Sequence, residues 1–203
     1  NYSYYGLFNP VIIISYFLPF ISMKSYIQVS SIILVYSSVI LFYYFLKHNK
    51  FSSDICLLGS IVFMTATPLL FHSHRHIMFM NYMPFLILAL FGVDKYFEKG
   101  NSKLLCISVI LIILMSYYYS IPAILSIIVY GVYKYITLNK KITFKSFIKD
   151  GIKFLIPIMI GILITSVLLV PTFYAILNGR LPNEISISLK DLIVPRINIK
   201  YLM

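Results

Sequence analysis

Three histidines and an arginine stand within five positions of the chain, between two apolar runs: His72, His74, Arg75 and His76. The three imidazoles share a face of an extended segment, and His72 and His76 share a face of a helix, so either form could present ligands to a metal. Arg75 beside a histidine offers a second chemistry, an anion clamp, because a guanidinium forks onto phosphate oxygens. A turn whose polar side chains are solvated by lipid headgroups also explains the pattern.

The scarcity of carboxylates weakens the case for a metal. The chain has six Asp and Glu residues, and those nearest to the histidines in sequence are Asp54 and Asp94. No carboxylate is therefore at hand to complete a metal shell or to orient an imidazole. Cys56 and Cys106 lie singly in apolar runs, without ligand spacing, as buried inert thiols do. The sequence predicts no metal site and no cofactor. It does not decide whether the protein requires a divalent metal.

The composition indicates whether the protein lies in water or in a lipid bilayer. Of the 203 residues, 60% are hydrophobic and 11% are charged, whereas a soluble domain carries about 25% charged residues. The net charge of +11 comes from lysines and arginines in the connections between apolar runs, which indicates membrane topology and lipid headgroups rather than nucleic acid. We therefore predict an all-α, polytopic transmembrane bundle, with no nucleic-acid partner.

The apolar runs predict about six spans and one short helix. Residues 11–20 are too few to cross about 30 Å of hydrocarbon, and Asn9 and Pro10 suit the N-cap and first position of a short interfacial or re-entrant helix. The predicted spans are 26–46, 55–71, 77–93, 104–118, 121–136 and 151–177.

The fourth and fifth spans come from dividing one apolar stretch. Residues 104–136 would form a helix of about 50 Å, too long for a bilayer without steep tilt. Ser120 can cap a new helix and Pro122 would fall in its first turn. The stretch is therefore predicted to be a hairpin, with Tyr117, Tyr118 and Tyr119 at its tip.

Two charged connections are predicted on the other side of this hairpin. The first is a loop that holds Asp94, Lys95, Glu98, Lys99 and Lys103. The second is residues 137–150, where aromatic and aliphatic side chains recur at helical spacing, as in an amphipathic helix on a membrane surface. With the hairpin, 11 of the 17 lysines and arginines share one side, which the positive-inside rule makes cytoplasmic. Residues 1–25, the His-Arg turn, the tyrosine tip and residues 178–203 then share the outer face.

Two further sets of residues on the outer side are candidates for binding. Asn81 is predicted about one turn into its span, where an amide needs a partner on another helix, a substrate or a wet cavity. Tyr117, Tyr118 and Tyr119 could stack on a sugar or belong to the aromatic belt at the membrane surface. No phosphate-binding loop, nucleophile elbow or kinase signature occurs, so the catalytic residue is unknown.

Four stretches, in order along most of the chain, carry a resemblance to a known family. They are Asn9-Pro10 before an apolar run that ends at Pro19; His74-Arg75-His76 through Met83-Pro84-Phe85 to Asp94-Lys95-Tyr96; Tyr117-Tyr118-Tyr119; and Leu169-Val170-Pro171-Thr172-Phe173-Tyr174. With these stretches the sequence resembles the YfhO-like family of bacterial membrane proteins.

The resemblance implies a GT-C-type glycosyltransferase in the bacterial cell membrane. Such enzymes take a sugar from a polyprenyl-phosphate donor at the extracytoplasmic face, and this family is linked to glycosylation of lipoteichoic acid or other envelope polymers. By this resemblance Arg75 and His76 would meet the donor phosphate, in an inverting transfer. The alternative is a non-enzymatic transporter or flippase-like protein for lipid-linked sugars.

The resemblance also implies that the chain is part of a longer protein. In GT-C enzymes an acidic residue in the first outer loop acts as base, and no residue here matches it. Residues 1–25 are therefore expected to be the end of that loop with the interfacial helix, followed by the membrane spans in 26–177. Residues 178–203 would begin another outer loop or a tail, and the whole would form one transmembrane domain.

Overall fold

The computed structural model describes residues 9–66, 81–138 and 143–179. All regular structure in these ranges is helical, as the predicted fold class requires. The helices are α1 (Pro10–Ser15), α2 (Met23–His48), α3 (Ser53–Thr65), α4 (Met83–Lys99), α5 (Lys103–Met115), α6 (Tyr117–Leu138) and α7 (Phe144–Gly179).

The short helix α1 begins as the sequence predicts. The Asn9 side chain accepts a hydrogen bond from the Val11 N–H at 3.0 Å, and Pro10 occupies the first helical position. This cap satisfies one of the N–H groups that every helix start leaves free. The Tyr26 hydroxyl donates to the Val11 carbonyl at 2.8 Å, so the start of α2 holds α1 in place.

In the described part of the chain, three helical segments are long and apolar enough to cross a membrane: Met23–His48, Tyr117–Leu138 and Phe144–Tyr174. The helices α3 and α5 are apolar but have 13 residues each, which gives a length of about 20 Å against about 30 Å of hydrocarbon. The prediction of six full spans is therefore not confirmed in the described residues. The part of the second predicted span after residue 66 lies outside them.

The helix α5 is the centre of the bundle. It packs against α4, α6, α7 and α1, and its side chains are buried around most of its circumference, as expected of a helix that is apolar all round. Gly92 of α4 allows the closest approach, because a Cβ atom there would lie 2.7 Å from the Leu105 backbone nitrogen. The buried residues of α5 are Leu105, Ser108, Val109, Ile112, Ile113 and Met115.

The long apolar stretch is divided into two helices, as predicted, but the junction is four residues earlier. Ser116 is extended, with φ −159° and ψ 111°, and its hydroxyl oxygen accepts from the Tyr119 N–H at 3.5 Å. The Ser120 hydroxyl instead donates to the Tyr117 carbonyl at 2.6 Å. The prediction of Ser120 as N-cap was therefore wrong, because Ser116 takes that role, and Pro122 falls inside α6.

The predicted charged loop after the third span is mostly helical. The helix α4 continues through Asp94 and Glu98 to Lys99, and ends at Gly100, whose φ of +66° is the left-handed C-cap conformation that glycine adopts without strain. The α4 start also differs from the prediction, because Asn81 precedes the helix in a turn rather than lying one turn into it.

The predicted surface helix over residues 137–150 does not form a separate element. Residues 137–138 complete α6, and Phe144 begins α7, a continuous helix of 36 residues with a length of about 54 Å. Its first turns are held against α6, because the Tyr135 ring packs on Phe147 at 5.6 Å and the Tyr135 hydroxyl lies 3.3 Å from Asp150 Oδ2. These tertiary contacts favour one continuous helix.

The helices α4 and α6 run parallel, and α5 returns between them. Tyr82 at the start of α4 stacks on Tyr119 at the start of α6, with 5.5 Å between ring centroids. Asp94 near the end of α4 contacts Lys134 near the end of α6. We call the first the aromatic end (Asn81, Tyr82, Tyr119) and the second the ionic end (Asn49, Asp94, Lys134). The described parts of the two charged connections predicted from the sequence thus lie at the ionic end.

Candidate functional site

Two tyrosine rings form the base of the aromatic end. The Tyr82 and Tyr119 rings lie nearly parallel, with 9° between their planes, and the exposed Tyr118 ring stands edge-on to Tyr119 at 5.2 Å. Tyr82 is positioned because it directly precedes α4, and Tyr119 because the break at Ser116 starts α6 there. One face of Tyr119 is therefore covered by protein, which leaves Tyr118 as the ring more open to a ligand.

Asn81 is a buried polar side chain at this end. Its residue surface is 2% exposed, and its amide oxygen Oδ1 accepts no hydrogen bond. A buried acceptor without a donor costs about 1–3 kcal/mol, and such groups are rare in folded proteins. The oxygen therefore keeps unused capacity to accept a hydrogen bond from a hydroxyl or amide group.

An apolar groove of about 420 Å³ lies between α1 and the first half of α2, lined by Val11, Leu18, Val29 and Ile33 among others. The last turn of α2 lies at the ionic end, so the groove lies toward the aromatic end of the bundle. Its lining suits a hydrocarbon chain rather than a polar group.

The predicted site residues divide into two groups. His72, His74, Arg75 and His76 lie outside the described residues, so their roles stay predictions. The structure brings Asn81 and Tyr119 to one end of the bundle, and Tyr117 and Tyr118 lie with Tyr119 in the first turn of α6.

The prediction that the chain has no metal site stays a prediction as well. Within residues 9–66, 81–138 and 143–179, no group of three or more His, Cys, Asp or Glu side chains could hold a metal ion. The three clustered histidines fall outside these ranges. Cys56 and Cys106 are free thiols, and Cys56 is buried.

The sequence interpretation missed Tyr82 and the whole ionic end. Asp94 is 1% exposed, and its Oδ1 atom receives both Lys134 Nζ and the Tyr130 hydroxyl, each at 2.8 Å. Lys134 Nζ also donates to Asn49 Oδ1 at 2.9 Å. Side chains from α4, from α6 and from the C-cap residue of α2 thus meet around one buried carboxylate. Two features of the sequence could have indicated this end. Asp94 directly follows the apolar Val93, and Lys134 follows an apolar run. A charged residue that directly follows a span can still lie inside the bundle.

A comparison with known protein families identifies the family of this chain. The family model described as bacterial membrane protein YfhO matches residues 1–202. The chain belongs to the YfhO family. The predicted resemblance is thereby confirmed, and the family together with the apolar helices makes this a bacterial membrane protein. No curated protein and no solved structure matches the chain.

In this YfhO-family chain the two ends of the bundle offer different chemistry. The aromatic end combines a buried amide acceptor with aromatic faces, a combination that suits hydroxyl-rich ligands. The ionic end combines a compensated carboxylate with further titratable groups, a combination that suits proton or charge effects.

Proposed function

We propose that this YfhO-family chain is part of a glycosyltransferase. It would move a sugar from a polyprenyl-phosphate donor to a cell-envelope polymer, such as lipoteichoic acid, at the outer membrane face. The observation that carries the proposal is the unpartnered Asn81 amide oxygen beside the Tyr82–Tyr119 pair. A sugar hydroxyl can donate to that oxygen, and a sugar ring can lie against an aromatic face such as that of Tyr118.

The chemistry of the transfer needs a cationic site for the donor phosphate. The acceptor hydroxyl attacks the anomeric carbon, the bond from that carbon to the phosphate oxygen breaks, and the phosphate leaves with the bonding electrons. Arg75 and His76 would stabilise the negative charge that develops on the leaving phosphate. A base must take the hydroxyl proton, and this chain offers no residue that we assign to that step.

A second candidate function is a transporter or flippase-like protein for lipid-linked sugars. The buried pair of Asp94 and Lys134 favours it, because ionisable side chains inside a membrane bundle often lie on transport or proton pathways. Such a protein would use the aromatic end for binding alone, with no bond broken in the sugar.

The clamp is tested by the change Arg75→Ala in the full-length protein, in a strain that lacks the chromosomal copy. We expect loss of sugar from the envelope polymer, measured by mass spectrometry, with unchanged amounts of protein in the membrane. The matched control is Lys24→Ala, which removes an exposed cation near the start of α2 and should leave glycosylation intact. Normal glycosylation with Arg75→Ala would refute the clamp.

A further inference from the structure

The first turns of α7 carry three lysines on one face of the helix. We call this set the lysine stripe (Lys145, Lys149, Lys153). Its members recur every fourth residue, a spacing that places them about 6 Å apart along the helix axis. All three residues are exposed. Within the described part of the chain, none of them takes part in a salt bridge, so their charges can pair with an external anion.

The acid nearest to the lysine stripe is turned toward the bundle. Asp150 is the only acidic residue in the α7 sequence, and its Oδ2 atom accepts a hydrogen bond from the Tyr135 hydroxyl of α6 at 3.3 Å. The Phe147 ring packs on the Tyr135 ring from the same helix, with 5.6 Å between centroids. The opposite, outward face of these turns therefore carries positive charge that Asp150 does not neutralise.

A row of exposed apolar side chains lies directly beside the lysine stripe. We call it the apolar row (Phe144, Ile148, Ile152), and its members are 78%, 45% and 58% exposed. Each of them precedes a lysine of the stripe by one position, which is a turn of about 100° around the helix axis. The two rows therefore run side by side. A lysine can lay its methylene groups along such an apolar surface while its ammonium group reaches polar surroundings.

The sequence that follows places these turns at the edge of the hydrocarbon. Residues 154–179 contain no charged side chain, and as a helix they measure about 39 Å, which is enough to cross about 30 Å of hydrocarbon. The lysine stripe directly precedes this span, at the level of the lipid phosphates. The apolar row is therefore within reach of the acyl chains of the same lipids.

We propose that the lysine stripe and the apolar row bind an anionic phospholipid, such as phosphatidylglycerol. The ammonium groups pair with the lipid phosphate, and an acyl chain packs on the apolar row. A second copy of the chain fits this face less well, because a symmetric pair would bring the same lysines together. The proposal does not depend on the glycosyltransferase proposal, because these turns lie near the ionic end and not at the aromatic end.

Native mass spectrometry of the full-length protein, released from detergent micelles, tests this binding directly. Dioleoyl phosphatidylglycerol and dioleoyl phosphatidylcholine are added separately, so that the two lipids differ only in the headgroup. We expect the unchanged protein to bind phosphatidylglycerol more tightly. A stripe variant with Lys145→Gln, Lys149→Gln and Lys153→Gln should bind it at least about tenfold more weakly, because each lysine near an anionic surface contributes about fivefold.

The matched control variant removes three other exposed lysines near the same end, with Lys95→Gln, Lys99→Gln and Lys103→Gln. It loses the same charge, but α4 exposes no large apolar side chain in residues 83–99, so its binding of phosphatidylglycerol should match that of the unchanged protein. Ile148→Asp puts an acid into the apolar row. This variant should weaken the binding although all lysines are present.

The proposal is overturned if the stripe variant binds phosphatidylglycerol like the unchanged protein, or if the control variant loses as much binding. Equal binding of both lipids by the unchanged protein would also overturn it, because the lysines would then not select the headgroup. A dimer that disappears in the stripe variant while lipid binding stays would assign this face to a second copy of the chain instead.

Discussion

At the scale of single residues, the ionic end depends on how the Asp94 carboxylate is compensated. Removing a carboxylate from water costs several kcal/mol, which an opposite charge recovers only with good geometry and further hydrogen bonds. Lys134 and Tyr130 meet these conditions, each at 2.8 Å from Oδ1. The Lys134 side chain is 18% exposed, so water screens the pair only in part.

The first prediction follows from this balance. Lys134→Ala leaves Asp94 buried without its ammonium partner and should lower the free energy of unfolding by about 3 kcal/mol, since breaking one side of a buried pair is costly. Unfolding in mixed detergent, titrated with sodium dodecyl sulfate, measures this loss. The control Lys95→Ala removes an exposed ammonium from the next position and should change stability by less than about 0.5 kcal/mol. Equal stability of the two variants would contradict the role given to Lys134.

At the scale of helices, the close contact of α4 and α5 organises the bundle. Small residues at helix interfaces let backbones approach closely in membranes, where packing rather than the hydrophobic effect drives association. Gly92 is such a residue, because its missing side chain leaves room for the backbone of Leu105. Gly151 in α7 is different, since an added Cβ atom there would meet nothing within 4 Å.

These two glycines give a matched pair of substitutions. Gly92→Ala should lower the free energy of unfolding by about 2 kcal/mol, because the new methyl group overlaps backbone atoms and must separate the helices. Gly151→Ala should leave stability unchanged or raise it by up to about 1 kcal/mol, because alanine is the better helix former. The same detergent titration measures both. A Gly92→Ala variant as stable as Gly151→Ala would exclude the close packing of α4 on α5.

The helices also show which features could be predicted from sequence and which could not. The Asn9 cap and the division of residues 104–136 follow from local chemistry, so they were predicted. The choice of Ser116 over Ser120 was missed because both serines can cap a helix. Asp94 was placed in a loop because its partner Lys134 lies 40 positions further along the chain, and no local pattern reports such a contact. For the candidate site, charge counting grouped Asn81 with the tyrosine tip, but Tyr82 gave no signal of its own.

At the scale of the whole molecule, the parallel course of α4 and α6 separates two chemically different ends. Among the residues that the structure describes, the aromatic end carries few charges, and the ionic end collects lysines that the positive-inside rule assigns to the cytoplasm. The orientation in the membrane is therefore a prediction that the fold makes easy to test. Ser120 is a poor probe of the outer face because it is buried, whereas Tyr118 is exposed.

Single-cysteine labelling tests this orientation. In a background without Cys56 and Cys106, Tyr118→Cys should react with a membrane-impermeant maleimide added to intact cells. Lys99→Cys, which is exposed at the ionic end, should react only after the cells are permeabilised. The reverse pattern would invert the predicted topology and place the aromatic end in the cytoplasm.

The central claim, sugar transfer at the aromatic end, is tested most directly with the full-length protein in liposomes. The probes are polyprenyl-phosphate glucose and polyprenyl-phosphate N-acetylglucosamine, each radiolabelled in the sugar and tested separately, with sugar-free lipoteichoic acid as acceptor. We expect the label from one of these donors to move from the lipid into the polymer, and Arg75→Ala to abolish the movement. Label that crosses the bilayer while it stays on the lipid, with none in the polymer, would contradict the enzyme and support the transporter.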